Sequence, residues 1–192
     1  MRVEVDATGE YPPDKVAKLA EMGAFGMKIP TEYGGLGFDQ LEYAQVMELL
    51  GVVDGNLTAL LSAHQSIGVP QPLLMFGTDE QKERFLPRFR DGAISAFALT
   101  EANAGSDPRA MTTTATLAED GSHYVINGEK LWCTNGTKAN VIVVMAVTPP
   151  KIVRGKERKQ ITAFLVEMDT PGVEVVHRCR FMGLKALYNG VI

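Results

Sequence analysis

This 192-residue sequence has little that would build a covalent or metal-held scaffold. Its two cysteines, Cys133 and Cys179, are too few and too far apart for a disulfide framework, and neither belongs to a Cys-x-x-Cys pair. Both are expected as free thiols. Three histidines, His64, His123 and His177, lack the spacing that would put two imidazoles on one helix face around a metal. No stretch approaches the roughly 18 apolar residues of a bilayer-spanning helix, so no transmembrane segment is expected, and the first residues lack the apolar core of a signal peptide. An excess of charge is missing too. Nineteen Lys plus Arg against 23 Asp plus Glu leave a net charge of -4, which makes no electrostatic case for nucleic acid. The one basic run, Lys151 to Lys159, is interrupted by Glu157 and reads as a solvated loop between two strands. There is a single tryptophan, Trp132, and no internal repeat or low-complexity segment.

What the sequence does have is enough apolar material, 45% of residues, to bury a substantial core in one large or two small domains. Its character changes near Gly92. Before that point apolar residues recur with helical spacing. Pro12 and Pro13 suit a helix start, with Val16, Leu19, Ala20 and Met22 following before Gly23, a plausible C-cap. A second helix is predicted from about Asp39 to Val53 and a third from about Asn56 to Ile67. Pro70 to Phe76 reads as a helical turn or two. Thr78 with Gln81 forms a capping-box pattern that opens a helix ended by Asp91-Gly92.

After Gly92 the pattern is that of strands: Ile94 to Thr100, Thr112 to Leu117, His123 to Ile126, Lys130 to Thr134, Val141 to Val147, Ile161 to Glu167 and Val173 to His177. Asp120-Gly121 and Asn127-Gly128 are hairpin dipeptides, so Thr112 to Trp132 is expected as a three-stranded meander. The fold class is therefore α+β, with an all-helical N-terminal domain over residues 1–92 followed by an antiparallel β-barrel or sandwich over 93–192.

Several catalytic and binding motifs can be set aside. Tyr33-Gly-Gly-Leu-Gly-Phe38 has Gln40 where a dinucleotide fingerprint needs its third glycine, and no strand precedes it. A tight loop is the better reading. Ser106 lacks the Gly-x-Ser-x-Gly of a nucleophile elbow, and the scattered histidines give a Ser-His hydrolase no support. His64, at the end of a predicted helix, is the best candidate for a functional imidazole, although a core or surface histidine is the default.

Two runs remain, Phe97-Ala-Leu-Thr-Glu-Ala-Asn-Ala-Gly-Ser-Asp107 and Glu129-Lys-Leu-Trp-Cys-Thr-Asn-Gly136. Each ends strand-like residues in hydroxyl side chains, glycine and an Asn or Asp, a composition that turns backbone N–H groups toward an anion. Trp132, two residues before Thr134, sets a flat apolar plate beside a hydrogen-bond donor, as a planar cofactor ring requires. The first run resembles the leading signature of the acyl-CoA dehydrogenase family. Leu131-Trp-Cys-Thr-Asn-Gly136 is similar to that family's Trp-Ile-Thr-Asn-Gly turn. Phe25-Gly-Met-Lys-Ile-Pro30, Glu32-Tyr-Gly-Gly35, Phe76-Gly-Thr-Asp-Glu-Gln-Lys82, Leu86-Pro87 and Met182-Gly-Leu-Lys185 look like further family segments in the family's order. Ala63-His-Gln-Ser-Ile-Gly68 leans toward the long-chain and very-long-chain branch.

The resemblance implies a helical domain, a middle β-domain and a C-terminal four-helix bundle, of which only the first two are expected here. It implies FAD as cofactor, an acyl-CoA substrate, an electron-transfer flavoprotein as acceptor, a homo-oligomer, and a bacterial cytoplasm or mitochondrial matrix as compartment. Phe97, Leu99 and Thr100 would lie along the flavin, with the Thr100 hydroxyl on its pyrimidine edge. Gly105 and Ser106 come next to cofactor and substrate, Ser106 touching the acyl-CoA. Trp132 would cover one ring face, Cys133 accompany it and Thr134 bond near N5. Ala102 and Asn103 stand where the family commonly has Pro-Gly, and Cys133 where it has an aliphatic residue. The family's catalytic glutamate lies on the bundle, so no catalytic residue is assigned and the chain is expected to be an inactive fragment. An acyl-CoA oxidase and a non-catalytic flavin-binding or acyl-CoA-binding module remain as alternatives.

Overall fold

The computed structural model describes residues 2–192. Among the described residues six α-helices precede the first strand: α1 (Arg2–Thr8), α2 (Pro13–Glu21), α3 (Gln40–Val53), α4 (Gly55–Ser62), α5 (Pro70–Phe76) and α6 (Asp79–Arg90). Side-chain caps set the starts of α3, α4 and α6. Asp39 accepts from the Leu41 and Glu42 N–H groups while Glu42 returns a bond to the Asp39 N–H, a closed capping box. Asp39→Ala removes it and is expected to cost about 1 kcal/mol, read as a lower denaturant midpoint at unchanged slope. Thr78 and Gln81 close the same box on α6, as expected. The third predicted helix is divided in character, since α4 starts on the Asp54 side chain and passes into a wider π-helical turn over Ala63–Ile67. Between α2 and α3, Gly35 lies so close to Ile29 that an added Cβ would sit 2.6 Å from the Ile29 carbonyl carbon. The glycine-rich segment is thus a packed turn, as read from the sequence, and not a nucleotide loop.

The second half is a curled mixed sheet. Its strands are β1 (Ser95–Ala98), β2 (Thr114–Leu117), β3 (Tyr124–Asn127), β4 (Val141–Val153) and β5 (Lys156–Glu167), ordered β1-β4-β2-β3 with β5 also on β4; β6 (His177–Arg178) and β7 (Gly190–Val191) pair separately. β1 and β2 both run parallel to β4, so the sheet is mixed where strand spacing alone suggested an antiparallel one. Asp120-Gly121 turns the β2–β3 hairpin as expected, with Asp120 accepting from Ser122. The third strand of the expected meander does not form. After Asn127-Gly128 the chain leaves β3, and Lys130 exchanges backbone bonds of 2.7 and 3.0 Å with Ile192 instead. A sequence-distant partner takes the place of the neighbouring strand. The basic run is also not a loop: it lies in the exposed β4–β5 ribbon, whose turn is only Arg154-Gly155.

Three apolar clusters hold these parts together. One unites the helices with late residues Ala186 and Tyr188 around Phe25, Leu57, Leu60 and Leu61. The second joins α5 and α6, through Leu73, Phe85, Leu86 and Phe89, to Val141 and Val143 of β4. The third lies on the opposite sheet face, where Ala96 and Ala98 meet Cys133, Ile142 and Val144. Alternation along β1 explains the split, because successive side chains point to opposite faces. Arg84 and Arg88 of α6 reach Glu167 of β5 at 2.8 and 2.5 Å, a partly exposed link that pulls the Glu167 carboxyl below its usual range.

Candidate functional site

The two runs picked out in the sequence are brought edge to edge. Leu131 N–H donates to the Thr100 carbonyl at 2.8 Å, so the end of the first run abuts the start of the second. Ser95 and Phe97 of β1 face the helices, and Phe97 is only partly buried against the helix–sheet cluster. Leu99 and Thr100 are half-buried beyond the strand's end, and among the described residues the Thr100 hydroxyl has no hydrogen-bond partner. The chain then makes a tight loop in which Glu101 and Ala104 exchange backbone bonds of 3.1 and 3.2 Å. Gly105 and Ser106 follow, both exposed, and a Cβ at Gly105 would meet nothing within 4 Å.

Trp132 is not on a strand. Its φ of 58° places it in the left-handed region, which bulky residues rarely enter, and its indole is 52% exposed beside Phe181, with ring centroids 5.9 Å apart. Cys133 bonds through both backbone groups to Gly190, at 2.9 and 3.1 Å, so the flanking residues are thrown outward while its own side chain turns in. Burial pushes the Cys133 thiol up to about 12, and it rests 3.5 Å from the Phe97 carbonyl as a buried, inert group. Thr134 accepts a 3.0 Å bond from the Asn189 side-chain N–H, which also donates to the Trp132 carbonyl at 3.1 Å. An amide nitrogen can only donate, so the Thr134 proton is left free to be given to another acceptor. Asn189 was not singled out in the sequence. Nothing local marks it, because its partners lie more than fifty residues away.

Asn135 differs from its expected role at an anion-facing turn. Fully buried with a φ of 67°, it donates through its side chain to the carbonyls of Leu60 and Ser95, at 3.0 and 3.4 Å, joining α4 to β1. His64 is structural as well. One ring nitrogen meets the Phe25 carbonyl at 2.9 Å, and the other receives the Ser95 N–H at 3.1 Å. Its ring lies edge-on to Phe25 and Phe89. His123 and His177 are exposed and lie apart from it. Among the described residues none of the three imidazoles is hydrogen-bonded to Ser106.

Glu101 and Lys130 form a buried ion pair at 2.8 Å, each side chain 4% exposed. Burial alone would raise the Glu101 carboxyl, but bonds from Lys130, Thr112 and Thr113 hold it well below the carboxylate range. Both oxygens are occupied, so Glu101 cannot serve as a proton-abstracting base. Together, the exposed Trp132 plate, the free Thr134 and Thr100 hydroxyls and the open Gly105-Ser106 backbone suit a flat ligand with hydrogen-bond acceptors on its edge. This fits the isoalloxazine of a flavin.

A family model described as "Acyl-CoA dehydrogenase, N-terminal domain" matches residues 1–93, and one described as "Acyl-CoA dehydrogenase, middle domain" matches residues 96–191. The probable acyl-CoA dehydrogenase FadE10 of Mycobacterium tuberculosis (strain ATCC 25618 / H37Rv) is 51% identical over 187 residues, 97% of this chain and 28% of that protein. The mitochondrial very long-chain specific acyl-CoA dehydrogenase of Homo sapiens is 41% identical over 170 residues, 88% of this chain and 26% of that protein. Among solved structures, an acyl-CoA dehydrogenase complexed with FAD from Bacillus anthracis superposes with a TM-score of 0.81 at 36% identity, covering 92% of this chain and 28% of that one. The chain thus spans 26–28% of the length of these curated relatives.

Proposed function

The chain belongs to the acyl-CoA dehydrogenase family, and on that premise we propose that its two runs form the flavin cradle of an FAD-dependent enzyme that removes two hydrogens from the α and β carbons of an acyl-CoA thioester. The observation that carries this reading is the half-exposed Trp132 indole next to a Thr134 hydroxyl whose lone pair is engaged by Asn189 and whose proton is available. FAD, when bound, supplies the acceptor for the hydride that leaves the β carbon.

This chain's residues bind and orient. Trp132 covers one face of the ring and excludes water from it, with Phe97 and Leu99 lining the ring. Thr134 donates near N5 and Thr100 at the pyrimidine edge, where donors stabilise the negative charge that gathers as the ring is reduced. Cys133 contributes by position, since its inward turn sets Trp132 and Thr134 on the cradle side. Gly105 lets the backbone approach cofactor and substrate, and Ser106 contacts the acyl-CoA. No residue described here is assigned as the base that takes the α proton. The electron acceptor of the whole protein is proposed to be an electron-transfer flavoprotein, and its assembly a homo-oligomer. No helix among the described residues is long and apolar enough to cross a membrane.

The test is reconstitution of the full-length protein with FAD. Wild type is expected to take up flavin with its visible absorbance, and Trp132→Ala to bind it about tenfold more weakly, as the loss of a stacked aromatic contact implies. A wild-type protein that takes up no flavin overturns the cradle. Bound flavin reduced by an acyl-CoA thioester and slow to react with oxygen supports the dehydrogenase. Fast reaction with oxygen identifies an oxidase instead, and no reduction by any acyl-CoA a non-catalytic module.

A further inference from the structure

The buried Glu101–Lys130 pair lies one residue past Thr100 and two before Trp132, at the point where the two runs meet. Its bonds reach three separate segments. Lys130 Nζ donates to the Leu99 carbonyl at 3.2 Å and to Glu101 Oε1 at 2.8 Å, so the second run grips the first from below. Glu101 Oε2 accepts from the Thr112 N–H and hydroxyl, at 2.7 and 2.6 Å, and Oε1 from the Thr113 N–H at 3.0 Å. Those last bonds close the base of the loop that carries Gly105 and Ser106. An ion pair required only for stability would need no tie to the Leu99 carbonyl or to both ends of that loop, and an apolar pair of equal volume would serve as well.

Resting on the cradle reading above, we propose that Glu101 and Lys130 are positioning residues that preset the flavin cradle, holding Leu99-Thr100, Gly105-Ser106 and Trp132–Thr134 in register before the cofactor enters. Neither side chain touches the ligand; they act through the backbone they pin. A preorganised cradle binds more tightly because no chain ordering accompanies binding.

The decisive comparison uses full-length protein, FAD titrations, the flavin visible spectrum and thermal unfolding. Lys130→Met and Glu101→Gln each leave a buried partner uncompensated and are expected to lower both Tm and FAD affinity. In the double variant Glu101→Gln/Lys130→Met the uncompensated charge is gone and Tm is expected to recover substantially. The Leu99 carbonyl still lacks its donor, so FAD affinity is expected to stay about tenfold or more below wild type, the scale on which supporting side chains behind metal sites act, with a shifted flavin band. Affinity that recovers in step with Tm overturns the proposal and leaves a plain structural ion pair. Should these variants not fold, Thr112→Val removes one hydroxyl donor to Glu101 and leaves the Thr112 and Thr113 N–H bonds in place. Its Tm is expected to fall modestly, as the loss of one charge-assisted bond implies, and its FAD affinity a few-fold, and wild-type affinity and spectrum in Thr112→Val refute the proposal. Failure of wild type to bind FAD would instead refute the cradle itself, a separate outcome.

Discussion

Lowering the pH from about 7 to about 4 is expected to take about 3 kcal/mol from the unfolding free energy through His64 alone. The imidazole is completely buried, and burial lowers its pKa to about 4, with the bond to the Phe25 carbonyl opposing only part of that shift. The Ser95 N–H points at one ring nitrogen, so that nitrogen must accept and the ring must be neutral when folded. The unfolded chain takes up a proton near pH 6.5 and the folded one only near pH 4. Stability is therefore complete above pH 6.5 and falls as the pH drops through that window. About 2 kcal/mol of the loss should be visible by pH 5. Glu101 acts in a lower range, from its ordinary carboxylate value downward, because its folded pKa is depressed and its contribution is lost only as acid protonates it. Chemical denaturation of wild type and His64→Gln across this range separates the two. The variant should lack the upper part of the pH dependence, and an equal slope in both proteins between about pH 6.5 and 5 would refute the assignment.

Phe89→Ala is expected to destabilise the protein by about 3–5 kcal/mol, the usual cost of emptying a fully buried aromatic site. Phe89 is 0% exposed, packs among Ile29, Val69, Leu73, Phe85 and Leu86, and meets the His64 ring edge-on at 5.5 Å. That cluster also includes Val141 and Val143, so its loss loosens the seam between helices and sheet. Phe76→Ala is the control. Its ring is 80% exposed, and the change should stay within about 0.5 kcal/mol of wild type. A midpoint shift at constant slope for Phe89→Ala, and none for Phe76→Ala, is the expected result in denaturant titrations. Equal shifts would mean that Phe89 does not anchor this seam.

Helix α3 was readable from its apolar spacing, and the structure adds the Asp39–Glu42 box at its start; the start of α6 could be read from the sequence because Thr78 with Gln81 is a short-range signal whose partners lie three positions apart. The Asp120-Gly121 hairpin was readable for the same reason. The composition of Lys130 to Thr134 suits a strand, but its backbone partners are Thr100, about thirty residues back, and Gly190 and Ile192, about sixty onward, and Trp132 is turned out of the extended conformation. Parallel pairing of β1 and β2 to β4 likewise depends on crossovers that periodicity does not record.

The sequence by itself determined the helix-then-sheet order, the capped start of α6 and the two runs that carry the resemblance to the acyl-CoA dehydrogenases, since all of these are written in neighbouring residues. Tertiary structure alone decided how the runs join: the Leu131–Thr100 contact, the Asn189 bonds that leave the Thr134 proton free, and the Glu101–Lys130 pair beneath them. Each of these links residues about thirty to fifty-five positions apart in the chain, and such pairings exist only once the hydrophobic clusters have brought the segments together and excluded the water that would otherwise satisfy those polar groups.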